Sequence, residues 1–371
     1  MRIGFDAKRA YFNYSGLGNY SRNTIRYLSH KFPDNEFYLY IPGTKNQIPN
    51  HTLKNHTLVY PQSWKERKFS SFWRSYWLGK QLVRDGIELY HGLSNEIPFD
   101  IIRNHVPSVV TIHDLIFLRF PEWYNPIDRK IYGRKAKFSC MNADRVIAIS
   151  EQTRSDIIHY FKIPEEKIDV VYQGCDPAFY SQWDEAEKQK LSQRYHLPSS
   201  YLLYVGTIEP RKNLLQLIKA RHMGKLDIPL IVIGRSTPYI KQIHEYIAEH
   251  SLKNITFLQD VPNEDLPGIY QLADAFIYPS RFEGFGIPIL EALFSRTPVI
   301  TSSGSCFDEA GGKSSMYIDP DDTDEMIHAI RLVLEDKKRR SEMQVKGYEH
   351  AQKFKEEIIA DNLMEVYRKV I

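Results

Sequence analysis

The sequence predicts an α/β protein made of two doubly wound, Rossmann-like parallel-sheet domains. Three observations carry this reading. Short apolar strands alternate with amphipathic helical segments from one end of the chain to the other. They fall into two series, separated by a polar, charged segment at 181–200. The 371 residues are enough for two such domains, each with its own core.

In the first series, strands are expected near 2–6, 36–41, 57–60, 88–90, 108–112 and 145–149, and helices near 18–31, 68–84, 127–142 and 151–161. Ser150 stands where an N-cap would satisfy the free N–H groups of the last helix. In the second series, Tyr201-Leu202-Leu203-Tyr204-Val205-Gly206 and Leu230-Ile231-Val232-Ile233-Gly234 read as buried strands ending in glycine. Further strands are expected near 255–258, 275–279 and 298–301. The segment 181–200, with Glu185, Glu187, Lys188 and Lys190, reads as the domain connection with a short helix inside it. The final helical segments, 324–335 and 338–370, exceed what one more βα unit needs. A terminal helix over 356–371 crossing back to the first domain accounts for the surplus, and a solvent-exposed extension is the alternative. The domains are therefore placed at 1–180 and 201–355.

Composition narrows the function classes. A 42% apolar and 26% charged chain is an ordinary globular protein, and a net charge of only +3 gives no reason to expect a nucleic-acid partner. The three cysteines, Cys140, Cys175 and Cys306, offer neither a disulfide framework nor zinc spacing, which suits a reducing cytoplasm. The N-terminus enters a strand at once, so no targeting leader is expected. No apolar run approaches the ~18–20 residues needed to cross a bilayer. The expectation is a cytoplasmic protein, with attachment to the inner membrane face as the limiting case.

The most informative stretch is Pro279-Ser280-Arg281-Phe282-Glu283-Gly284-Phe285-Gly286-Ile287-Pro288-Ile289-Leu290-Glu291-Ala292. Strand, glycine-bearing turn and helix together offer amide groups and a positive helix end to an anion. Glu283 and Glu291 would accept hydrogen bonds from hydroxyls. Phosphate plus polyol describes a nucleotide sugar. A second loop, Gly206-Thr207-Ile208-Glu209-Pro210-Arg211-Lys212-Asn213, puts two cations beside a helix start, where the macrodipole is also positive. An anionic diphosphate removes that conflict, Arg211 meeting it with a planar fork and Lys212 as a point charge. In the first domain, Gly16 and Gly18 lie in a turn that lets a ligand approach the backbone. His113 ends a strand, where it either meets a sugar hydroxyl or is tied to a loop carbonyl. The acidic run at 319–324 reads as a loop and N-cap rather than a metal site.

These motifs resemble the retaining glycosyltransferases of family 4, the group 1 enzymes of GT-B fold, over nearly the whole chain. The hallmark is a glutamate, seven residues and a second glutamate, here Glu283 and Glu291. The resemblance implies two Rossmann-like domains facing a central cleft, the first for the acceptor and the second for the nucleotide sugar. It implies that Arg211 and Lys212 bind the donor diphosphate and that Glu291 holds the ribose hydroxyls. Glu283, with Gly284, Phe285, Gly286 and Ile287, would hold the donor sugar. Gly206 opens the cationic loop, Gly16 and Gly18 match the loop closing over phosphates and acceptor, His113 matches a histidine beside the reacting sugar, and Ser150 lies in a matching stretch. No metal or other cofactor is expected. Arg119-Phe120-Pro121 after the His-Asp-Leu stretch is similar to mannosyltransferases of polysaccharide assembly, which favours GDP-mannose over UDP-glucose as donor.

The acceptor, a glycan or a lipid-linked glycan, is less legible. The segment 64–77 mixes aromatic and basic residues. It reads either as a peripheral membrane contact that includes Arg67, Lys68 and Arg74, or as an amphipathic helix packing Phe69, Phe72, Trp73 and Trp77 into the core. The expected activity is hexosyl transfer with retention. Alternatives are a nucleotide-sugar epimerase of the same fold and a non-catalytic nucleotide-sugar-binding protein.

Overall fold

A computed structural model describes residues 1–14, 16–44 and 56–371. They form two compact units, Met1–Gly174 together with Glu356–Ile371, and Cys175–Lys355. Ser15, which falls in the first glycine-bearing turn, lies outside the described residues.

Unit 1 is built on seven strands: β1 (Arg2–Asp6), β2 (Glu36–Tyr40), β3 (His56–Val59), β4 (Leu89–Gly92), β5 (Ser108–Ile112), β6 (Arg145–Ala148) and β7 (Ile168–Val170). Unit 2 has six: β8 (Leu202–Val205), β9 (Leu230–Ile233), β10 (Ile255–Leu258), β11 (Ala275–Tyr278), β12 (Val299–Ser302) and β13 (Met316–Ile318). The sheet orders are β3-β2-β1-β4-β5-β6-β7 and β10-β9-β8-β11-β12-β13, parallel throughout. Each sheet therefore reverses its winding once, between β1 and β4 and between β8 and β11. Loops leaving such neighbouring strands diverge to opposite faces and open a crevice at their carboxyl ends.

The strands read as near-continuous apolar runs because both sheet faces are covered. In unit 1, Ile3, Phe5, Phe37, Leu39 and Val109 point to one side, against Ile25 and Leu28 of the helix Gly16–Lys31. Tyr40, Tyr90, Val110 and Ile112 point to the other, against Leu78, Leu82, Ala136 and Cys140. In unit 2, Leu202, Tyr204, Leu230, Val232 and Ile277 pack on Leu214, Leu217, Met326 and Ile330.

Two expectations are corrected. The segment 181–200 is not a free connection. Its helix Glu185–Tyr195 is capped by Asp184, and Leu191 and Trp183 close on Gly268, leaving no room for a Cβ there, so it is part of unit 2. The helix expected over 338–370 is two helices, Lys337–Ala351 in unit 2 and Glu356–Arg368 in unit 1. The break falls where Phe354 is buried, its ring 5.6 Å from that of Phe285.

The helix Glu356–Arg368 buries Ile359, Ala360, Leu363, Met364, Val366 and Tyr367 in the first core of unit 1. Lys31 Nζ lies 2.5 Å from Asp361, and the Tyr367 hydroxyl lies 2.7 Å from His91 Nδ1. His91 Nε2 in turn meets Thr111 at 2.8 Å, and Thr111 meets the Tyr20 hydroxyl at 2.9 Å. This chain of hydrogen bonds ties the C-terminal helix to the middle of the sheet.

The segment 64–77 fits neither sequence reading whole. It is a run of short turns, Trp64–Lys68, Ser70–Phe72 and Trp73–Trp77, that continues into the helix Leu78–Arg84. Trp73 is buried, but Phe69 and Phe72 are 53% and 45% exposed, so they are not core residues. Arg74 is not on a surface face either. It is nearly buried and paired with Asp6 at 2.5 Å and Glu96 at 2.9 Å, because a cation under that surface must be neutralised.

Two substitutions test the C-terminal anchor by urea unfolding. Leu363→Ala should cost roughly 2–5 kcal/mol for a fully buried leucine. Tyr367→Phe should cost about 1–3 kcal/mol, since His91 Nδ1 is left buried without that partner. Losses under about 0.5 kcal/mol for both would show that unit 1 does not depend on this helix.

Candidate functional site

The cationic loop follows β8. Pro210 starts a single turn, Pro210–Lys212, and Asn213 then adopts a left-handed conformation at φ 60°. The Asn213 side chain donates to the Pro320 carbonyl at 2.7 Å, which fixes the start of the helix Leu214–Met223. The acidic loop follows β11, the strand next to β8 across the winding reversal. Gly286, at φ 120°, turns this loop into the helix Ile287–Phe294, whose start carries no side-chain cap.

The two loops meet through charge. Glu283, only 8% exposed, receives Arg211 at 2.8 Å on Oε2 and Lys212 at 2.6 Å on Oε1. The hydroxyls of Ser280 and Tyr278 donate to the same Oε1 at 2.6 and 3.1 Å. Arg211 also pairs with Glu209 at 2.8 Å and donates to the Phe282 carbonyl at 2.5 Å. The Arg281 N–H donates to the Arg211 carbonyl at 2.9 Å, closing the junction. Burial alone would push the Glu283 carboxyl up, but Arg211 and Lys212 outweigh it and hold the pKa down at about 2. Burial lowers the Lys212 ammonium against the pull of Glu283.

Glu291 has the opposite setting. It lies in the helix Ile287–Phe294, and its Oε2 accepts only from the Tyr270 hydroxyl at 3.0 Å among the bonds recorded for it. Burial pushes its pKa up to about 7, with the Tyr270 bond opposing and Asp176 adding to the rise. The loop carbonyls between the glutamates are held from β12's side. Cys306 Sγ donates to the Phe285 carbonyl at 2.8 Å, and Ser305 donates to that of Glu283 at 3.1 Å. Gly206 ends β8, its N–H bonded to the Ile233 carbonyl at 2.9 Å.

The structure thus brings Arg211, Lys212, Glu283, Gly284, Phe285, Gly286, Ile287 and Glu291 onto one edge of the unit 2 sheet. Sequence reasoning gave Arg211 and Lys212 one ligand and Glu283 another, whereas here they are bonded to each other. It also missed Tyr278, Ser280 and Glu209, the groups that complete the pairing. Glu209 was visible two residues before Arg211, and Tyr278 was read only as a strand aromatic.

The unit 1 residues are placed differently. A Cβ on Gly18 would stand 1.8 Å from the Asn13 carbonyl oxygen, so only glycine lets the helix Gly16–Lys31 begin against that turn. Gly16 begins the same helix in open space. His113 is buried, and its Nε2 is 2.8 Å from the Leu93 carbonyl, so the loop-carbonyl reading holds for that nitrogen. Nδ1 faces the Gln173 amide at 3.4 Å. Burial pushes the His113 pKa down to about 4; the Leu93 bond opposes this and Arg9 adds to it. Ser150 is fully buried and works as the N-cap of the helix Glu151–Asp156. Its hydroxyl accepts from Thr153 N–H and donates to Thr153 Oγ1, both at 3.0 Å, so it has no proton left for a ligand. Arg119 pairs with the buried Asp156 at 2.6 Å, a structural use. The acidic run at 319–324 is a loop and cap, with Asp322 accepting from Glu325 N–H at 2.9 Å.

A doubly wound unit with an ion cluster and an uncapped helix start at its winding reversal has the layout of a phosphate-ligand site. Residues 184–350 match the family described as glycosyl transferases group 1, and residues 14–179 the family described as glycosyltransferase family 4. The chain is 27% identical over 401 aligned residues to the O-antigen chain mannosyltransferase B of Escherichia coli, covering 99% of this chain and 100% of that one. It is 30% identical over 263 residues to the O-antigen chain mannosyltransferase RfbU of Salmonella typhimurium, covering 70% and 69%. The solved sucrose-phosphate synthase of Thermosynechococcus elongatus shares the fold, with a TM-score of 0.79 at 19% identity over 100% of this chain and 98% of that one. The chain belongs to the family 4, group 1 glycosyltransferases and has the GT-B fold. Both relatives are named as transferases, so the epimerase and binding-protein alternatives find no support.

The ion cluster has a pH signature. The folded pKa of Glu283 lies below its ordinary value, so its stabilisation is present above about pH 4.5 and is lost as pH falls towards 2. Glu283→Gln should cost about 3 kcal/mol at pH 7 in the ligand-free protein, because it leaves two cations without their carboxylate. The gap from wild type should shrink by about 1 kcal/mol between pH 5 and pH 3.5 in urea unfolding. A gap that does not change with pH would mean that Glu283 is not held ionised by these cations.

Proposed function

We propose that the protein transfers a hexosyl group, mannose in preference to glucose, from a nucleotide diphosphate sugar to a glycan or lipid-linked acceptor in polysaccharide assembly, with retention at the anomeric carbon. The observation that carries the donor site is the Arg211–Lys212–Glu283 cluster at the carboxyl edge of β8 and β11. The mannose preference rests on the names of the two relatives and on the Arg119-Phe120-Pro121 stretch.

Cleaving the sugar–phosphate bond builds negative charge on the leaving diphosphate. Arg211 and Lys212, with the Ile287 N–H at the uncapped helix start, are preorganised donors for that charge. Two fixed cations do what a divalent ion would otherwise do, so no metal is assigned a role. In the ligand-free protein Glu283 keeps these cations in place. Once the diphosphate shares them, the carboxylate, ionised at every working pH, accepts hydrogen bonds from the donor sugar hydroxyls, beside the amides of 284–286. Glu291 is assigned the ribose hydroxyls. Gly206 allows the cationic loop its turn. In unit 1, Gly16 and Gly18 shape the loop assigned to the phosphates and acceptor, His113 offers Nδ1 as a neutral acceptor, and Ser150 serves through its cap alone.

Peripheral contact with a membrane's inner face is the second reading, favoured by one observation. Trp64, Phe69, Phe72 and Tyr76 are 69%, 53%, 45% and 46% exposed, beside exposed Lys65 and Lys68. Aromatic groups interleaved with lysines suit an anionic lipid interface. No helix among the described residues is long and apolar enough to cross a membrane.

Three measurements test these readings. Lys212→Ala should lower turnover about 10²–10³-fold, and near-normal transfer would remove Lys212 from the mechanism. Thermal shift should rise more with GDP-mannose than with UDP-glucose, and the reverse order would overturn the mannose preference. Donor binding should weaken about tenfold from pH 8 to pH 6 as Glu291 is protonated near its pKa of about 7, and Glu291→Gln should flatten that profile. A wild-type profile that is already flat would detach Glu291 from the ribose.

A further inference from the structure

Unit 1 has a cavity of about 780 Å³ that none of the assignments above uses. It lies at the carboxyl edge of β1, β2 and β3, where ligands of doubly wound sheets bind. Lys8 follows β1, Pro42 and Gly43 follow β2, and Tyr60 and Pro61 follow β3. The remaining wall comes from the 64–77 segment, which contributes Arg67, Ser70, Ser71 and Arg74. Among the described residues no carboxylate lines it.

The charge balance around the cavity is uneven. Asp6 and Glu96 are the carboxylates beneath it, and they are taken up by Arg74, with Lys135 at 2.9 Å from Glu96. The nearby Glu66 carboxylate is turned away, onto the amides of Gln62 and Ser63. Among the described residues four cations, Lys8, Arg67, Arg74 and Lys135, therefore stand against two carboxylates, Asp6 and Glu96, an excess of two positive charges before Arg9 is counted. Lys8 Nζ makes no hydrogen bond or ion pair among the described residues. Its ammonium is disfavoured by burial and then by Arg74. Arg67 spends only Nε, on the Pro61 carbonyl at 3.2 Å. A group with two negative charges would satisfy both cations, and the hydroxyls of Ser70 and Ser71 add donors at the same wall.

We propose that this cavity binds a phosphoryl dianion, a phosphate or diphosphate carried by the acceptor, held by Lys8 and Arg67 with Ser70 and Ser71. The transferase reading supplies only the identity of the occupant as acceptor; the anion site stands on the cavity and its charges. A phosphoryl dianion matches the unmatched charge, which a neutral glycan would leave uncompensated. The same chemistry has two sources, a soluble sugar phosphate and a lipid-linked sugar diphosphate. The exposed aromatic groups on the segment that forms the wall would sit beside the lipid of the second.

The test uses the full chain carrying Lys212→Ala, which removes one of the two cations assigned to the unit 2 diphosphate, and the Lys8 and Arg67 substitutions separate any binding left there from binding in unit 1. The chain is titrated by calorimetry with glucose 1-phosphate, with farnesyl diphosphate and with glucose, in the absence of nucleotide sugar. The expected result is one equivalent of at least one phosphorylated probe bound, weakened tenfold or more by Lys8→Met with Arg67→Met and restored in part by Lys8→Arg. Tight binding of glucose 1-phosphate identifies a soluble acceptor phosphate, and binding of farnesyl diphosphate alone identifies a lipid-linked one. The proposal is overturned if neither probe binds, if glucose binds as well, or if the double substitution leaves affinity unchanged. Since no donor is present, such a result leaves the unit 2 donor site untouched. A failed donor experiment would likewise leave a phosphate site in unit 1.

Discussion

The contact on which the site depends is the buried pairing of Glu283 with Arg211 and Lys212. Both cations belong to the loop after β8 and Glu283 to the loop after β11, and these neighbouring strands flank the winding reversal. Divergence there is what opens a crevice, and it leaves the loops little strand-like pairing to hold them in register. Charge adds to the backbone bond from Arg281 N–H to the Arg211 carbonyl. None of the three groups is tolerable alone at that depth, and together they satisfy one another with Tyr278 and Ser280. The groups are mutually paired without ligand, and the cations stand at the edge of the sheet, where an anion could share them.

Unit 1 repeats the device. Asp6 ends β1, Glu96 follows β4, and the winding reverses between those two strands. Arg74 bridges them, reaching in from the 64–77 segment, and Lys135 completes the set. In each unit, then, an ion cluster stitches the loops after the first and fourth strands of the sheet. The polarity is inverted. In unit 2 the single deep carboxylate serves two cations, while in unit 1 a deep cation serves two carboxylates. The spare charge in unit 1 is carried by Lys8 and Arg67 at the cavity wall.

Much of this was legible in the sequence, and the parts that were not have physical reasons. Strands buried on both faces announce themselves as apolar runs, so most of the thirteen were found. The exceptions, β7 with Ile168-Asp169-Val170 and β13 with Met316-Tyr317-Ile318, are three-residue edge strands with half-covered positions and too little pattern to read. The glutamate spacing and the Arg-Lys-Asn loop picked out residues that the structure brings together on one edge of the unit 2 sheet, because residue type and position suffice there. What a residue does with its hydrogen bonds was beyond pattern. The sequence placed Ser150 as an N-cap and left His113 between a sugar hydroxyl and a loop carbonyl. The structure shows the cap closed on Thr153 and His113 Nε2 spent on Leu93, so neither is free there for the ligand contact that the resemblance also implied. The 64–77 segment misled for a related reason. Its basic and aromatic groups are interleaved, and only packing decides that Arg74 turns in while Phe69 and Phe72 turn out.

The two glutamates of the hallmark motif show how far environment exceeds spacing. They lie eight residues apart, on one loop and the helix it opens, Glu283 buried and Glu291 half-buried. Burial pushes both carboxyls upward. For Glu283 two cations within 3 Å reverse the effect and hold it near 2. For Glu291 the one recorded partner is a neutral phenol, and the carboxyl stays up near 7. One motif therefore yields a permanent anion and a titrating one. The first suits a fixed contact beside a reacting sugar, where a change of protonation would remove charge from the transition state. The second suits a contact whose strength follows occupancy, because hydroxyl donors that bond the ionised form pull its pKa back down. Hydroxyl donors at Glu291 and its ionisation would then be linked, each favouring the other across the pH range near 7.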